Sequence, residues 1–316
     1  VNKEFLVKLF QMFVVLLCAS FITFTLSYFS PGDPAERRLM AMDMVPSEEA
    51  LERTREEMGL NQPFLFQYAG WLSGLIRGDM GDSYHFRQPV SEIMLNRMSR
   101  TFLLASYALG LTLITSIPLG MLAAIKRNGM IDYIIRFTTF IALSVPGFWL
   151  GLMLMYVIAV RYRLLPIMPE GGIKDYILPV LTLSIPLIGR YIRLVRASVL
   201  EELTMDYVVS AKARGIPEMK ILICHVLPNT LPGLITLIGM TVAALLGGTV
   251  IVEHLFMRPG LGTMVLQAVN HRDYPLLQGF VVLMVFVYVT ISYVVDGVIR
   301  VLDPRALSKD RKEGTM

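Results

Sequence analysis

Charge is scarce in this sequence. Of its 316 residues only 17% are Asp, Glu, Lys or Arg, while 54% are apolar; soluble domains carry about a quarter charged residues. That balance excludes a disordered chain and an ordinary soluble α/β enzyme. Only two cysteines occur, Cys18 and Cys224, far apart and in unlike contexts. They build neither a disulfide framework nor a metal site. No Gly-Lys pair exists anywhere, so there is no GxxxxGKS/T phosphate loop to cradle ATP. HExxH, a zinc-type Cys/His set and a GxSxG elbow are missing as well. The apolar runs offer no cluster of titratable groups, so catalytic residues, a bound metal and a bound cofactor are not expected.

What the chain has instead is long uncharged runs: Leu9–Phe29, Phe102–Ile125, Phe137–Val160, Thr230–Val252 and Pro275–Val295. Each is long enough to cross a hydrocarbon core as a helix, which takes about 20 residues. A sixth, Tyr176–Gly189, is shorter. Arg190, Arg193 and Arg196 follow it, and their stems can snorkel, which extends the span to about Val195. Backbone in lipid must bond internally, and the alternation of a membrane barrel is absent. The expectation is an all-α integral membrane protein with six transmembrane helices, at 9–29, 101–126, 137–160, 176–196, 230–253 and 275–300. The first run is too long for a secretory leader and ends in no convincing cleavage site, so it reads as a retained helix.

Placing the N-terminus inside gives the inner segments 1–8, 126–136, 190–229 and 300–316 sixteen of the 29 Lys and Arg residues, and the two short outer loops five. The positive-inside rule then makes both termini cytoplasmic. The net charge of +4 is a topology signal rather than a sign of nucleic acid.

The external segment 30–100 carries helix signals. Ser47 reads as an N-cap before Glu48-Glu49, with Gly59 as a stop. Phe64, Tyr68, Trp71, Leu72, Leu75 and Ile76 share one helical face. Such a helix suits a membrane interface, a partner surface or simple packing on the bundle. A further helix starts near Pro89.

The cytoplasmic segment 197–229 holds a short exposed helix with a hinge. Thr204 can cap it, Gly215 can end it, and Pro217 can open the next. Ala211, Ala213 and Gly215 alternate with Lys212 and Arg214, so backbone and charge can both approach a partner. The residues alone do not separate a docking element from a solvated connector. In the fifth span, Gly239, Ala243 and Gly247 form a small-residue stripe suited to close packing, within the chain or against a second subunit. Pro118, Pro146, Pro179 and Pro186 should kink their spans. Glu253, His254 and His271 lie near outer helix ends without a third ligand at fixed spacing, and read as loop or interface residues. His85 and His225 invite a ligand role even less. Arg258-Pro259-Gly260 precedes a tight turn, with Gly260 and Gly262 supplying permissive dihedrals.

Tyr207 to Pro228 resembles the cytoplasmic "EAA" loop of bacterial ABC-importer permeases: Gly215, then Leu227 and Pro228, stand at the family's spacing. The triplet itself departs, with Val209 and Ser210 in place of Glu and Ala; only Ala211 agrees. Further pieces occur in order: Pro31-Gly32-Asp33-Pro34-Ala35, Gly59-Leu60-Asn61-Gln62-Pro63, Gly78-Asp79-Met80-Gly81, Pro259-Gly260-Leu261-Gly262, Arg272-Asp273-Tyr274-Pro275 and Asp303-Pro304-Arg305. The set covers residues 1–306 and is similar to the "B" permeases of dipeptide, oligopeptide and nickel importers. The stretch 46–62 and the fourth and fifth spans are most like the nickel type.

The resemblance implies a type I, MetI-like permease domain over about 95–305, forming half of a pathway for short peptides or nickel and metal-chelate complexes. It implies as partners a second, "C"-type permease, two ABC ATPase subunits that bind ATP and Mg2+, an external solute-binding protein and the lipid bilayer. Thr204, Asp206, Tyr207, Ala211, Lys212, Ala213, Arg214, Gly215 and Pro217 would couple to the ATPase. Gly239, Ala243 and Gly247 would pack against the sister permease, and Glu253, Arg258, Gly260 and Asp273 would lie in an external loop near the pathway. An ion-gradient-driven carrier is the alternative; it calls for charge at mid-span and internal repeats, and neither is visible.

Overall fold

The computed structural model describes residues 2–42 and 44–302. Asp303-Pro304-Arg305 and the rest of the expected tail to 316 lie outside the described residues. Within them every regular element is a helix. In chain order these are α1 (Asn2–Tyr28), α2 (Pro34–Ala41), α3 (Glu48–Glu57), α4 (Phe64–Ile76), α5 (Val90–Ile125), α6 (Met130–Ser144) and α7 (Gly147–Leu154). Then follow α8 (Lys174–Glu202), α9 (Asp206–Ala213), α10 (Glu218–Ile221), α11 (Leu227–Gly248), α12 (Val250–Leu255), α13 (Leu261–His271) and α14 (Tyr274–Leu302). Wide π-helical turns continue α7 over Met155–Arg161 and join α10 to α11 over Leu222–Val226.

Five stretches are long and apolar enough to cross a membrane: Leu6–Tyr28, Val90–Ile125, Lys174–Glu202, Glu218–Gly247 and Tyr274–Val301. A sixth arises if α6 and α7 with its π-turn count as one crossing, although they meet at 100°. That break is far sharper than the proline kink expected within the continuous span 137–160. Val145 is extended (ψ 125°) and Pro146 stands outside both helices. A residue before proline avoids the helical region, so the helix ends there rather than kinking through. Pro118, Pro179 and Pro186 do sit inside helices.

Other boundaries move as well. The second span starts at Val90, so the last turns of the external segment belong to it. The fourth runs over Lys174–Glu202 instead of 176–196, and the fifth breaks at Thr249. The connection between the fourth and fifth spans, expected over 197–229, therefore shrinks to the neighbourhood of 203–217, and α9 fills most of it.

Among the described residues the chain divides into two compact units, one drawn from 1–101 and 259–290, the other from 102–258 and 291–316. In the first, the aromatic face of α4 packs on α1. Phe64 meets Tyr28 at 5.0 Å between ring centroids, Tyr68 meets Phe21 at 5.3 Å, and Trp71 meets Phe24 at 5.6 Å. Tyr68 Oη and Ser20 Oγ lie 2.9 Å apart. The aromatic ridge is thus spent on intramolecular packing, one of the roles open to it from sequence. Ser47 Oγ caps α3 by accepting from Ala50 N, and Gly59 follows at φ +66°. A core of Val90, Ile93, Met94, Leu261, Met264, Ala268 and Leu276 joins α5, α13 and α14.

In the second unit α6 packs on α8, and Gly189 lets them approach: a Cβ there would lie 3.2 Å from the Thr139 carbonyl oxygen. Asp132, fully buried, accepts from Arg196 Nε and Nη2 at 2.7 Å each and from Asn128 N at 3.0 Å. Arg196 is therefore paired, not a free snorkelling cation. Tyr191 donates to Thr241 Oγ1 at 2.9 Å, tying α8 to α11. Gly239 faces α14 so closely that a Cβ would stand 2.2 Å from Val295 Cγ2. This corrects the assignment of Gly239 to a sister subunit: its lack of a side chain is used within the chain. Gly239→Ala should destabilise the protein by about 1–3 kcal/mol through overpacking. Thermal unfolding in detergent reads that loss, and Val295→Ala should restore most of it.

Candidate functional site

The site is built at the end of α8. Helix α8 closes at Leu203, and Thr204 Oγ1 turns back to donate to the Glu201 carbonyl at 2.7 Å. Thr204 thus does not cap α9, which corrects the capping role expected of it from sequence. Met205, with extended backbone (ψ 147°), is the N-cap, and Asp206 places a carboxylate in the positive first turn. At the other end the chain closes in a Schellman motif: Ile216 N donates to the Ala211 carbonyl at 3.3 Å and Gly215 N to the Lys212 carbonyl at 2.9 Å. Gly215 takes φ +75°, and nothing lies within 4 Å of a Cβ added there. Gly215→Ala should therefore cost only the left-handed backbone, about 1–2 kcal/mol. The thermal midpoint should fall accordingly, and Gly215→Asn should fall less. Pro217 is the N-cap of α10, one position before the first-turn place expected.

One side of this loop is bolted to the bundle. Val208 and Ala211 are 0% and 2% exposed, in a cluster with Tyr191, Val195 and Val199 of α8, Ile221, Leu222 and Leu234. Ala211 is thus an anchor facing inward, which corrects its reading as a contact residue. Gly120 brings α5 onto the same helix, since a Cβ there would stand 2.7 Å from Val195 Cβ. Tyr207 bonds through its hydroxyl to the Glu202 carboxylate. Burial and then that carboxylate raise the Tyr207 phenol above its ordinary value.

The other side is open. Met205, Val209 and Ala213 are exposed at i, i+4 and i+8, with Asp206, Ser210, Lys212, Arg214 and Gly215 exposed around them. Lys212 Nζ stands 3.9 Å from Glu218 Oε1, a loose surface pair. The arrangement is a short apolar strip rimmed by charge, on a helix whose back cannot slip. It can bind a groove and transmit displacement; it carries no catalytic constellation.

The residues expected in an external loop near the pathway are structural where the packing is visible. Glu253 lies inside α12, 1% exposed, and accepts from Thr249 Oγ1 at 3.1 Å. Arg258 lies 3.9 Å over the Tyr176 ring and 3.5 Å from Asp175 Oδ2. Gly260 is extended (φ −104°), and the left-handed residue of this turn is Met257 at φ +51°. The expected permissive role of Gly260 and of Gly262, which is helical, is not used. Asp273 is fully buried and accepts from Ser83 Oγ at 2.5 Å, His85 N at 3.1 Å and Leu276 N at 3.3 Å. His85 and His271, exposed, stack with centroids 3.7 Å apart. Burial, then the neighbouring His271, holds His85 below the usual imidazole value. Neither the hub on Asp273 nor this stack is marked by any sequence spacing. Among the described residues no three His, Cys, Asp or Glu side chains gather as a metal site.

Two family models cover nearly the whole chain. The binding-protein-dependent transport system inner membrane component matches residues 116–308, and the corresponding N-terminal model matches residues 3–105. The chain is 34% identical over 303 residues to the nickel import system permease protein NikB of Staphylococcus aureus strain bovine RF122 / ET3-1, spanning 96% of this chain and 91% of that protein. The same protein of strain USA300 gives the same identity and spans. Among solved structures, the MetNI methionine ABC transporter in inward-facing conformations matches with TM-score 0.54 and 17% identity, over 67% of this chain and 96% of that one. That likeness concerns the fold. Together with the helical architecture, these matches set aside the stand-alone carrier: the chain belongs to the inner membrane components of binding-protein-dependent transport systems, the permease subunits of ABC importers.

Proposed function

We propose that this permease imports nickel or a nickel chelate, forming half of the pathway with a "C"-type sister permease, and that α9 docks on one of two ABC ATPase subunits. ATP and Mg2+ belong to those subunits, and an external solute-binding protein delivers the cargo. Both termini and α9 then lie on the cytoplasmic side, as the Lys and Arg distribution favours. The observation that carries the docking assignment is the two-faced α9: Val208 and Ala211 fixed to the bundle, Met205, Val209 and Ala213 presented outward. A rigid back lets a neighbour's movement reach α8 and α11 rather than being lost in loop flexing. The cargo assignment rests on the 34% identity to the nickel import permease.

The test is ATP hydrolysis by the reconstituted complex, with the binding protein offered nickel species or short peptides. Nickel-loaded binding protein should stimulate hydrolysis several-fold over peptide. Stimulation by peptides alone would overturn the cargo while leaving the docking assignment standing. A chain that transports in liposomes under an ion gradient without ATPase subunits would overturn both.

A further inference from the structure

The first unit forms an open-mouthed cavity of about 900 Å³, at the upper end of the roughly 300–1,000 Å³ of small-molecule sites. Its aromatic wall includes Phe24, Tyr28, Phe66 and Trp71. Phe24 and Tyr28 stand in the final turns of the apolar stretch Leu6–Tyr28. That puts the cavity at the depth of a membrane interface, where Trp and Tyr rings prefer to lie.

Its charged lining is more unusual. Arg38 of α2 is half-buried, and among the described residues its guanidinium makes no hydrogen bond or ion pair. The other charges nearby are occupied or open to water. Arg55 holds Asp33 Oδ2 through Nε at 2.9 Å and Nη2 at 2.7 Å, Arg87 donates to the Ala41 carbonyl, and Asp82 is exposed. Burial pushes the neighbouring Tyr84 phenol up, against the pull of Arg38. A half-buried guanidinium among aromatic rings lacks an anion, and its fork matches phosphate oxygens. We propose that this cavity holds the head group of an anionic phospholipid, with the phosphate on Arg38 and the glycerol and first acyl methylenes against Trp71 and Phe24. The site concerns how the subunit sits in its bilayer and does not depend on the cargo or the ATPase.

The two tryptophans, Trp71 and Trp149, supply the assay. In the full chain carrying Trp149→Phe, only Trp71 reports. Phosphatidylglycerol with brominated acyl chains, titrated into detergent micelles, should quench it saturably near one equivalent. Brominated phosphatidylcholine should be at least tenfold weaker, as should phosphatidylglycerol on the Arg38→Gln variant. Arg38→Lys, which keeps the charge without the fork, should fall between. The Trp71→Phe chain, reporting the 47% exposed Trp149, should show only gradual, unsaturated quenching. Glycerol phosphate and inorganic phosphate should not displace the lipid. Equal quenching by both lipids, or unchanged binding in both Arg38 variants, would overturn the proposal. Displacement by micromolar inorganic phosphate would also overturn it, assigning the site to a soluble phosphate instead.

Discussion

Replacing Val209 with arginine, opposite in charge to the glutamate that related loops carry at this position, should reduce uptake at least tenfold while leaving the folded chain in the membrane at normal abundance. Val209 is 59% exposed, so the new guanidinium meets water in the isolated subunit and should change stability by no more than about 0.5 kcal/mol. In the assembled importer the same position lies at the centre of the Met205–Val209–Ala213 strip. A charge desolvated there without a partner costs about 2 kcal/mol or more, a hot-spot-sized loss. Val208 is the control, one residue away and fully buried. Val208→Glu should fail earlier, at folding, because it drives a carboxylate into the cluster around Tyr191 and Val195. The pair of variants thus separates docking from folding. Membrane abundance, co-purification of the ATPase and uptake are the three readouts. Normal ATPase recovery with the Val209 variant would remove α9 from the interface.

Arg196→Met should be strongly destabilising although it nearly conserves volume. It leaves Asp132, 0% exposed, with only the Asn128 amide for its carboxylate. Breaking a buried pair from one side costs about 3–5 kcal/mol, because the remaining charge stays desolvated. At roughly 2–4 °C per kcal/mol for a domain of this size, the thermal midpoint should drop by about 6–20 °C. Combining it with Asp132→Asn removes the orphaned charge and keeps an acceptor for the Asn128 amide, so the double variant should regain most of the loss. The pair clamps α6 to α8 within two turns of the α9 junction, which is where force from a docked neighbour would enter. A single variant as stable as the parent, or a double variant no better than Arg196→Met, would show that the clamp is not holding these helices.

Much of the architecture was readable because it is local. Apolar run length located the helices, and Ser47, Gly59 and Gly215 marked caps and stops through chemistry that acts over four or five residues. The α4 aromatic stripe was visible by periodicity, although its partner on α1 was not. What escaped was set by residues distant in sequence. Arg196 follows an apolar run and so resembles a snorkelling cation; its partner Asp132 is 64 residues away. Asp273 bonds Ser83 across 190 residues, and His85 meets His271 only once the first unit folds. Pro146 signalled a disturbance but not its size, since a kink and a 100° break share the same residue. For the loop, spacing gave the helix and the hinge. Which face points outward depends on how α8 and α11 seat it, and that moved Ala211 from contact to anchor.

Site-directed disulfide formation between α9 and the ATPase measures the central assignment most directly. Both native cysteines, Cys18 and Cys224, are exposed and would first be changed to serine. Single cysteines at Val209 and Ala213 should then cross-link to a cysteine lining the ATPase groove in membranes, more slowly or more tightly according to nucleotide state, while one at Val208 should not. Labelling of Val209 by an impermeant thiol reagent added from the external side, with no cross-link to the ATPase in any nucleotide state, would contradict the account.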